Sequence, residues 1–448
     1  LNDHTPFPRT LFWSLFVISL AVRLLVLGAN LHHPPAHFFE PDSTDYIRDA
    51  DDLSRGMGLR DLEGAPSMRR PPGYSVVLAL LFAVGASSPT SPVGAILVQL
   101  ILSALSVSLA SWMAHRLGGT NAALLTGSLL ALDPSSIASA NFIMSETLYT
   151  LALLCAFVTW SRWWIHPSRS SLALLAGLVG VLPLIRPAGT YLPILFALLI
   201  LGVGPKSTPR WRTALLFLAL SLVPVGAWRA RNYVLLGSTE VSSIGPWVKA
   251  LFAHSIEVRA GDNPSPSSPW SQDFAHEQRL PVARAMELQN EYFRSTVLRH
   301  PLYAMERFAM NALAMVGVPN DRLVRLCLEN PPDLEGGSLQ ARLSWLWEVG
   351  PLSLFLVMGT LVSLGGLICL PWLLIQARLW DPYRRSILAC LVTVVLYQWG
   401  ISSLIQYQAD RYRIPMIPFL AISLSLGLLQ VRSRKKEPMK AASGLNGP

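Results

Sequence analysis

Residues 11–28, LFWSLFVISLAVRLLVLG, carry a single charge, Arg23, and residues 40–46, EPDSTDY, follow almost at once. The first stretch is long enough to cross the apolar interior of a bilayer as a helix. The second is a dense acidic patch where that crossing ends. Residues 31–72 hold eight of the chain's 27 acidic residues, although the chain has a formal net charge of +9. Acids gathered at the rim of an apolar protein point to chemistry at a membrane surface. No small-residue cleavage site follows residue 28, and Arg23 interrupts the run. The segment therefore reads as a retained helix rather than a removable leader.

Outward from this stretch the pattern repeats. Of 448 residues, 52% are hydrophobic and 14% are charged, and long uncharged runs recur. An all-α integral membrane protein is expected, with one membrane unit in place of several soluble domains. About ten spans (range 9–13) are expected, near 11–29, 92–114, 118–134, 143–162, 170–185, 187–204, 212–229, 351–376, 386–405 and 413–431. The basic residues lie in short clusters between spans, at 115–116, 162–169, 206–212, 378–385 and 432–440. They read as cytoplasmic topology signals and not as a nucleic-acid surface.

With a cytoplasmic N-terminus, ten spans place every one of those clusters inside. Residues 30–91, 135–142, 186–187, 230–350 and 402–413 then lie outside. The same parity makes residues 74–86 a short helix lying on the outer leaflet, since counting it as a span would invert every later loop. Residues 301–318 read similarly. The chain thus divides into an N-terminal transmembrane catalytic module (1–230, including the outer loop 30–91) and an outer region with an interfacial helix (231–350). C-terminal transmembrane helices (351–431) and a cytoplasmic tail (432–448) follow. The expected location is the inner (plasma) membrane, multi-pass, with the active site facing the periplasm or exterior. Cys155, Cys327, Cys369 and Cys390 form no CxxC pair, so neither a disulfide framework nor a zinc site is indicated.

Four outer segments carry residues able to do chemistry. Asp42, Asp45, Asp49 and Asp52 share one face of a helix. Asp42 reads either as that helix's N-cap or as a reactive carboxylate, and Asp49, Asp51 and Asp52 read as solvated helix surface. Arg69 and Arg70 precede Pro71-Pro72; guanidinium forks suit phosphate, and ordinary headgroup binding is the alternative. Glu146 and Arg186 both stand at outer ends of spans, as an ion pair or as ligand contacts. Asp410, Arg411, Tyr412 and Arg413 precede the last span. Arginines there run against the positive-inside bias and read as phosphate ligands or as partners of the Asp42 region. A divalent metal (Mg or Mn) held by Glu40, Asp42 and His37 is a further option, although the histidines lack helical ligand spacing. No phosphate-cradling glycine loop, GxSxG or HExxH motif is present.

In order, these segments resemble the GT-C membrane glycosyltransferases, on the side of bacterial protein mannosyltransferases and lipid A aminoarabinose transferases. The motifs are Asp-Ser-x-x-Tyr-x-x-x-Ala at Asp42 to Ala50, Leu-x-x-Gly at Leu53 to Gly56, and Arg-Pro-Pro-Gly-Tyr at Arg70 to Tyr74. Glu146, Ile-Arg-Pro at Ile185 to Pro187 and Arg-Tyr-Arg-Ile-Pro at Arg411 to Pro415 complete the set. The resemblance implies a multi-helix fold with outer-face juxtamembrane helices and a polyprenyl-phosphate sugar donor. The acceptor is a lipid, glycan or protein. Many relatives carry adjacent acids in the first loop. Here Ser43 follows Asp42, which favours a single catalytic acid and leaves a metal unrequired.

The implied chemistry has Asp42 as general base, with Asp45 and Glu146 also in the catalytic set. Arg69, Arg70, Arg186 and Arg411 would bind the donor phosphate. Glu40, Tyr46, Tyr74, Tyr412 and Arg413 would contact substrate. One base and no covalent step imply inversion at the anomeric carbon. The rival class is a transporter or flippase of a lipid-linked sugar; it predicts ionisable residues at the midplane, where the sequence has almost none beyond Arg23, and repeated halves, of which none is visible. The topology is testable by cysteine labelling. Position 80 should react from the outer side, and position 435 only from the inside. Labelling of both from the side of Lys206 would break the assignment.

Overall fold

The computed structural model describes residues 7–262, 268–271, 274–317, 322–327, 352–404 and 409–443. The segments 263–267, 328–351 and 405–408 lie outside the described residues, as does the side chain of Asp410. Among the described residues the chain is helical, with only two isolated bridges, 60 to 66 and 88 to 91.

The first helix, α1 (Arg9–Asn30), is about 33 Å long at 1.5 Å per residue, enough to cross a bilayer. It buries one stripe, Leu15, Ser19, Arg23, Leu27 and Asn30, at steps of three and four that share a helix face. Trp13, Val17 and Leu25 on the other side are exposed. That face is costly in water and neutral in lipid. Six helices have the length and apolarity to cross a membrane, and three shorter apolar segments, Arg169–Ile185, Pro187–Val203 and Ile414–Gln430, fall on expected spans. The protein is a multi-pass membrane protein with every expected span helical.

The 39 helical residues of Val93–Ala131 form a hairpin. At Gly119 the backbone turns to φ 77°, ψ −170°, a region open almost only to glycine. Across the turn the Ser111 hydroxyl donates to the Ala123 carbonyl at 2.7 Å. Arg23 reaches both Ser103 Oγ (2.8 Å) and the Ala131 carbonyl (3.3 Å), so residues 103 and 131 lie at one depth on antiparallel limbs. The stretches expected as spans at 92–114 and 118–134 thus fall largely on the two limbs of one hairpin, joined without a loop. The main core gathers around these limbs, with Phe157, Trp160, Trp163, Phe196, Phe217 and Phe419 among its buried aromatics.

The end of the molecule that carries the acidic loop has its own smaller core. Helix α2 (Ser43–Ser54) and α3 (Pro72–Ala83) pack through Tyr46, Ala50, Tyr74 and Leu78 against Ile96, Leu100, Ile143 and Met144. Helix α3 opens with proline at its first position, where the missing N–H costs nothing. Its twelve residues span about 18 Å, too short to cross. It buries Tyr74, Ser75, Leu78 and Ala79 and exposes Val76 and Leu80, the pattern of a helix with protein on one side and lipid on the other.

One expectation fails on α2. Asp49, read as solvated surface, is buried at 2% exposure. Asp51 pairs with Arg55 at 2.8 Å and stays partly exposed, as does Asp52. Helical spacing places residues on a common face without saying which face meets protein. Burial pushes the Asp49 carboxyl up to about 6, against the pull of Arg48 at 3.4 Å. A folded-state pKa above the unfolded one means that the protonated form favours folding. That contribution is complete below the unfolded value of about 3.9 and is lost as pH rises through about 6. Asp49→Asn should therefore raise the melting temperature in detergent at pH 7–8, by up to about 3 kcal/mol of stability. The gain should vanish towards pH 4; a gain equal at both pH values would contradict this electrostatic origin. The hairpin makes a second prediction. Gly119→Ala should cost about 1–3 kcal/mol. Gly177→Ala, where a Cβ meets nothing within 4 Å, should be neutral or stabilising in a parallel melt.

Candidate active site

Asp42 occupies the N-cap position of α2, but its side chain makes no capping hydrogen bond. The turn is closed by Ser43 instead: the Glu40 N–H donates to Ser43 Oγ at 2.9 Å, and the Ser43 hydroxyl donates to the Ile143 carbonyl at 2.8 Å. The cap reading of Asp42 is thereby set aside. Its carboxylate faces two guanidiniums, Arg70 Nη2 and Arg411 Nη2, each at 2.6 Å.

From Asp42 the ion pairs run in both directions. Arg70 Nε also donates to Asp45 Oδ2 at 3.0 Å, and Arg69 Nε reaches the same oxygen at 2.9 Å. Arg411 Nε donates to Glu146 Oε1, which also takes Arg186 Nη1 at 2.8 Å. The result is an alternating chain, Asp45–Arg70–Asp42–Arg411–Glu146–Arg186. It joins four stretches of sequence: the first loop, the start of α6 (Glu146–Ile165), the end of α7 (Arg169–Ile185), and the turn before the last span.

Local sequence explains the approach. A Cβ on Gly73 would stand 2.7 Å from the Leu184 carbonyl oxygen, so glycine lets the first turn of α3 press on the end of α7. This brings Arg70 beside Arg186. Tyrosine rings flank the arginines: Arg70 lies over Tyr46 at 5.5 Å, and Arg186 over Tyr412 at 5.6 Å. The Tyr46 hydroxyl shares a hydrogen bond with Ser145 Oγ at 3.1 Å.

Glu146 is fully buried, whereas the Asp42 side chain keeps 21% of its exposure. Burial acts to raise the Asp42 pKa, but Arg411 and Arg70 outweigh it and hold the carboxyl well below the usual range. The open side of Asp42 faces a cavity of about 290 Å³. Tyr46, Arg70, Arg186, Arg411 and Tyr412 line it with Asp42. Another part of its wall comes from helix α9 (Arg210–Leu236) and helix α10 (Ile244–Ala260). That wall is tied to the first loop, where Arg231 Nη1 donates to the Ser67 carbonyl at 2.8 Å and the Ser243 N–H to the Met68 carbonyl at 3.0 Å.

The other expected site residues stand elsewhere. Asp45, Arg69 and Glu146 are not among the cavity's lining residues: Asp45 and Glu146 hold its arginines, and Arg69 pairs with Asp45. Tyr74 is buried: its hydroxyl donates to Gln99 Oε1 at 2.7 Å and its ring meets Tyr46 edge-on, so it supports the site and lines nothing. Glu40 pairs with Arg322 at 3.2 Å. His37 Nε2 lies 2.9 Å from the Leu326 carbonyl and 3.2 Å from Asn30 Oδ1. Glu40, Asp42 and His37 thus face three different partners. Among the described residues no group of three metal-ligating side chains stands together. Arg413 is fully buried; its Nη2 donates to Ser135 Oγ at 3.3 Å, in a polar cluster near Asp133.

Three charged cavity residues had not been expected, namely Arg229, Glu240 and Lys249. The signal for Arg229 was present. It lies at the outer end of a span, where arginine runs against the topology bias just as Arg411 does. Glu240 and Lys249 sit in a region with no readable motif.

No protein-family model matches the chain, and no curated protein matches it. Solved structures do. The Archaeoglobus fulgidus oligosaccharyltransferase tethered to an acceptor peptide aligns with a TM-score of 0.52 at 12% identity, over 96% of this chain and 50% of that one. The archaeal oligosaccharyltransferase AglB from the same organism, in complex with an inhibitory peptide and a dolichol-phosphate, aligns with a TM-score of 0.51 at 12% identity, over 96% and 52%. ArnT from Cupriavidus metallidurans bound to undecaprenyl phosphate aligns at 0.46 with 16% identity, over 95% and 62%. The chain thus spans about half to three-fifths of the length of these structures. At such identities the likeness speaks to architecture, and the architecture is the one the motifs imply: the chain has the GT-C fold.

Proposed function

We propose that the protein is a membrane glycosyltransferase that moves a sugar from a polyprenyl-phosphate donor to a lipid, glycan or protein acceptor, at the outer face of the membrane. The observation that carries this reading is Asp42: a carboxylate gripped by two arginines, with one open side on a cavity lined by both charged and apolar residues. Ile244, Val248, Ile401 and Leu404 supply the apolar part, suited to the first isoprene units of a lipid donor. The donors and acceptors bound by the structurally similar proteins fit the same reading.

In the proposed reaction the acceptor oxygen or nitrogen attacks the anomeric carbon. The bond from that carbon to the phosphate oxygen breaks, and the lipid phosphate leaves with the electron pair. Asp42 takes the acceptor's proton. Its two arginines keep it ionised throughout the physiological range, and they also make it a weak base. Proton transfer is therefore late, when the attacking atom has become acidic. Arg70, Arg186 and Arg411 supply a fixed positive field where charge develops. A direct displacement of this kind inverts the anomeric centre. No metal is required by this scheme.

The transporter reading gains little. Arg23 is held by Ser19, Ser103 and the Ala131 carbonyl, and the cavity beside it measures about 20 Å³, room for one water.

Asp42→Asn is the decisive variant. Arg70 keeps Asp45 and Arg411 keeps Glu146, so the fold should survive with a melting temperature close to that of the parent. Transfer should fall by at least about 100-fold, read by mass spectrometry of lipids and glycans from cells whose only copy is the variant. Undiminished product would remove Asp42 from the mechanism.

A further inference from the structure

The cavity wall carries five cations and two carboxylates, and the cations fall into two groups. Arg70, Arg186 and Arg411 are each in ion-pair contact with Asp42, Asp45 or Glu146. Their charge is already matched. Arg229 and Lys249, from α9 and α10, have no carboxylate within ion-pair distance among the described residues. Arg229 Nε is buried without a hydrogen-bond partner. Lys249 Nζ donates only to an amide oxygen, Asn290 Oδ1 at 2.9 Å.

The nearby acid does not neutralise them. Glu240 also lines the cavity, but its Oε1 accepts from Asn290 Nδ2 at 3.3 Å. Asn290 therefore stands between Glu240 and Lys249, giving its oxygen to one and its NH2 to the other. Arg231, two residues beyond Arg229, is by contrast spent on the Ser67 carbonyl and on Asn232 Oδ1.

Unmatched cations beside Ile244 and Val248 are costly in the empty cavity. The cost is recovered when a ligand brings an anion. A guanidinium fork and a mobile ammonium together suit the tetrahedral oxygens of a phosphate. We propose that Arg229 and Lys249 form the anion subsite of the cavity and seat the phosphate of the lipid donor, while Arg70, Arg186 and Arg411 fix Asp42 and Glu146. This rests on the donor reading above and moves the phosphate grip from the arginines of the sequence motifs to α9 and α10.

The test uses the full chain in phosphatidylcholine nanodiscs, titrated calorimetrically with farnesyl phosphate, farnesol and inorganic phosphate. The parent should bind farnesyl phosphate in preference to farnesol, and inorganic phosphate should compete only at much higher concentration. Arg229→Gln and Lys249→Gln should each weaken farnesyl phosphate binding about tenfold and leave farnesol unchanged. Lys249→Arg should restore binding. Both glutamine variants binding farnesyl phosphate as the parent does would overturn the subsite and leave the donor reading standing. A parent that does not distinguish farnesyl phosphate from farnesol would overturn both. Inorganic phosphate binding as tightly as farnesyl phosphate would show a free-phosphate site and overturn the lipid assignment. If a glutamine variant fails to melt cooperatively, the methionine variant at that position carries the same expectation.

Discussion

A charge buried in an apolar protein must find an opposite charge, and that requirement organises the outer half of this molecule. Asp45, Arg70, Asp42, Arg411, Glu146 and Arg186 form one unbroken alternation. Each interior member touches two neighbours, so the loss of one link leaves it still paired through the other. Apolar packing alone would let the first loop slide over the helix ends beneath it. The ion chain gives it a single register. The hydroxyl of Ser43 and the carboxamide of Gln99 add neutral hydrogen bonds to the same seam.

The alternation also divides labour among groups of the same type. Glu146 and Asp45 satisfy arginines from behind. Asp42 alone has an open side, and it holds that position because its neighbours are paired elsewhere as well. A carboxylate with a single cationic partner would collapse onto it. Held from two sides, Asp42 keeps its position and its ionised state and gives up basicity.

Much of this could be read from the chain. Apolar runs located the long apolar helices, because length and hydropathy are written locally. Glu146 with Arg186, and Arg411 with the Asp42 region, were both available as ion-pair alternatives, and both pairs form. What could not be read was side-chain direction. Tyr74 and Arg413 sit inside motifs yet point into the protein, onto Gln99 and Ser135. Asp49 shares a helix face with Asp42 and Asp45 and is buried, since helical spacing does not reveal which elements come to cover a face. Lys249 and Glu240 escaped notice because α10 meets the first loop only through long-range backbone contacts such as Ser243 to Met68.

Arg23 has a consequence for the order in which the protein is made. It lies inside the first apolar helix, and its tertiary partners, Ser103 and the carbonyl of residue 131, are separated from it by 80 and 108 positions. During synthesis α1 leaves the ribosome long before either of them. An arginine at the centre of an inserting helix costs about 2.5–3.5 kcal/mol, and until the hairpin arrives only Ser19, one turn back, offsets it. The nascent first helix is thus a strained intermediate whose relief comes from docking against the two limbs that meet at Gly119. Insertion and assembly are coupled through one side chain, and the hairpin acts as an internal chaperone for the helix that precedes it.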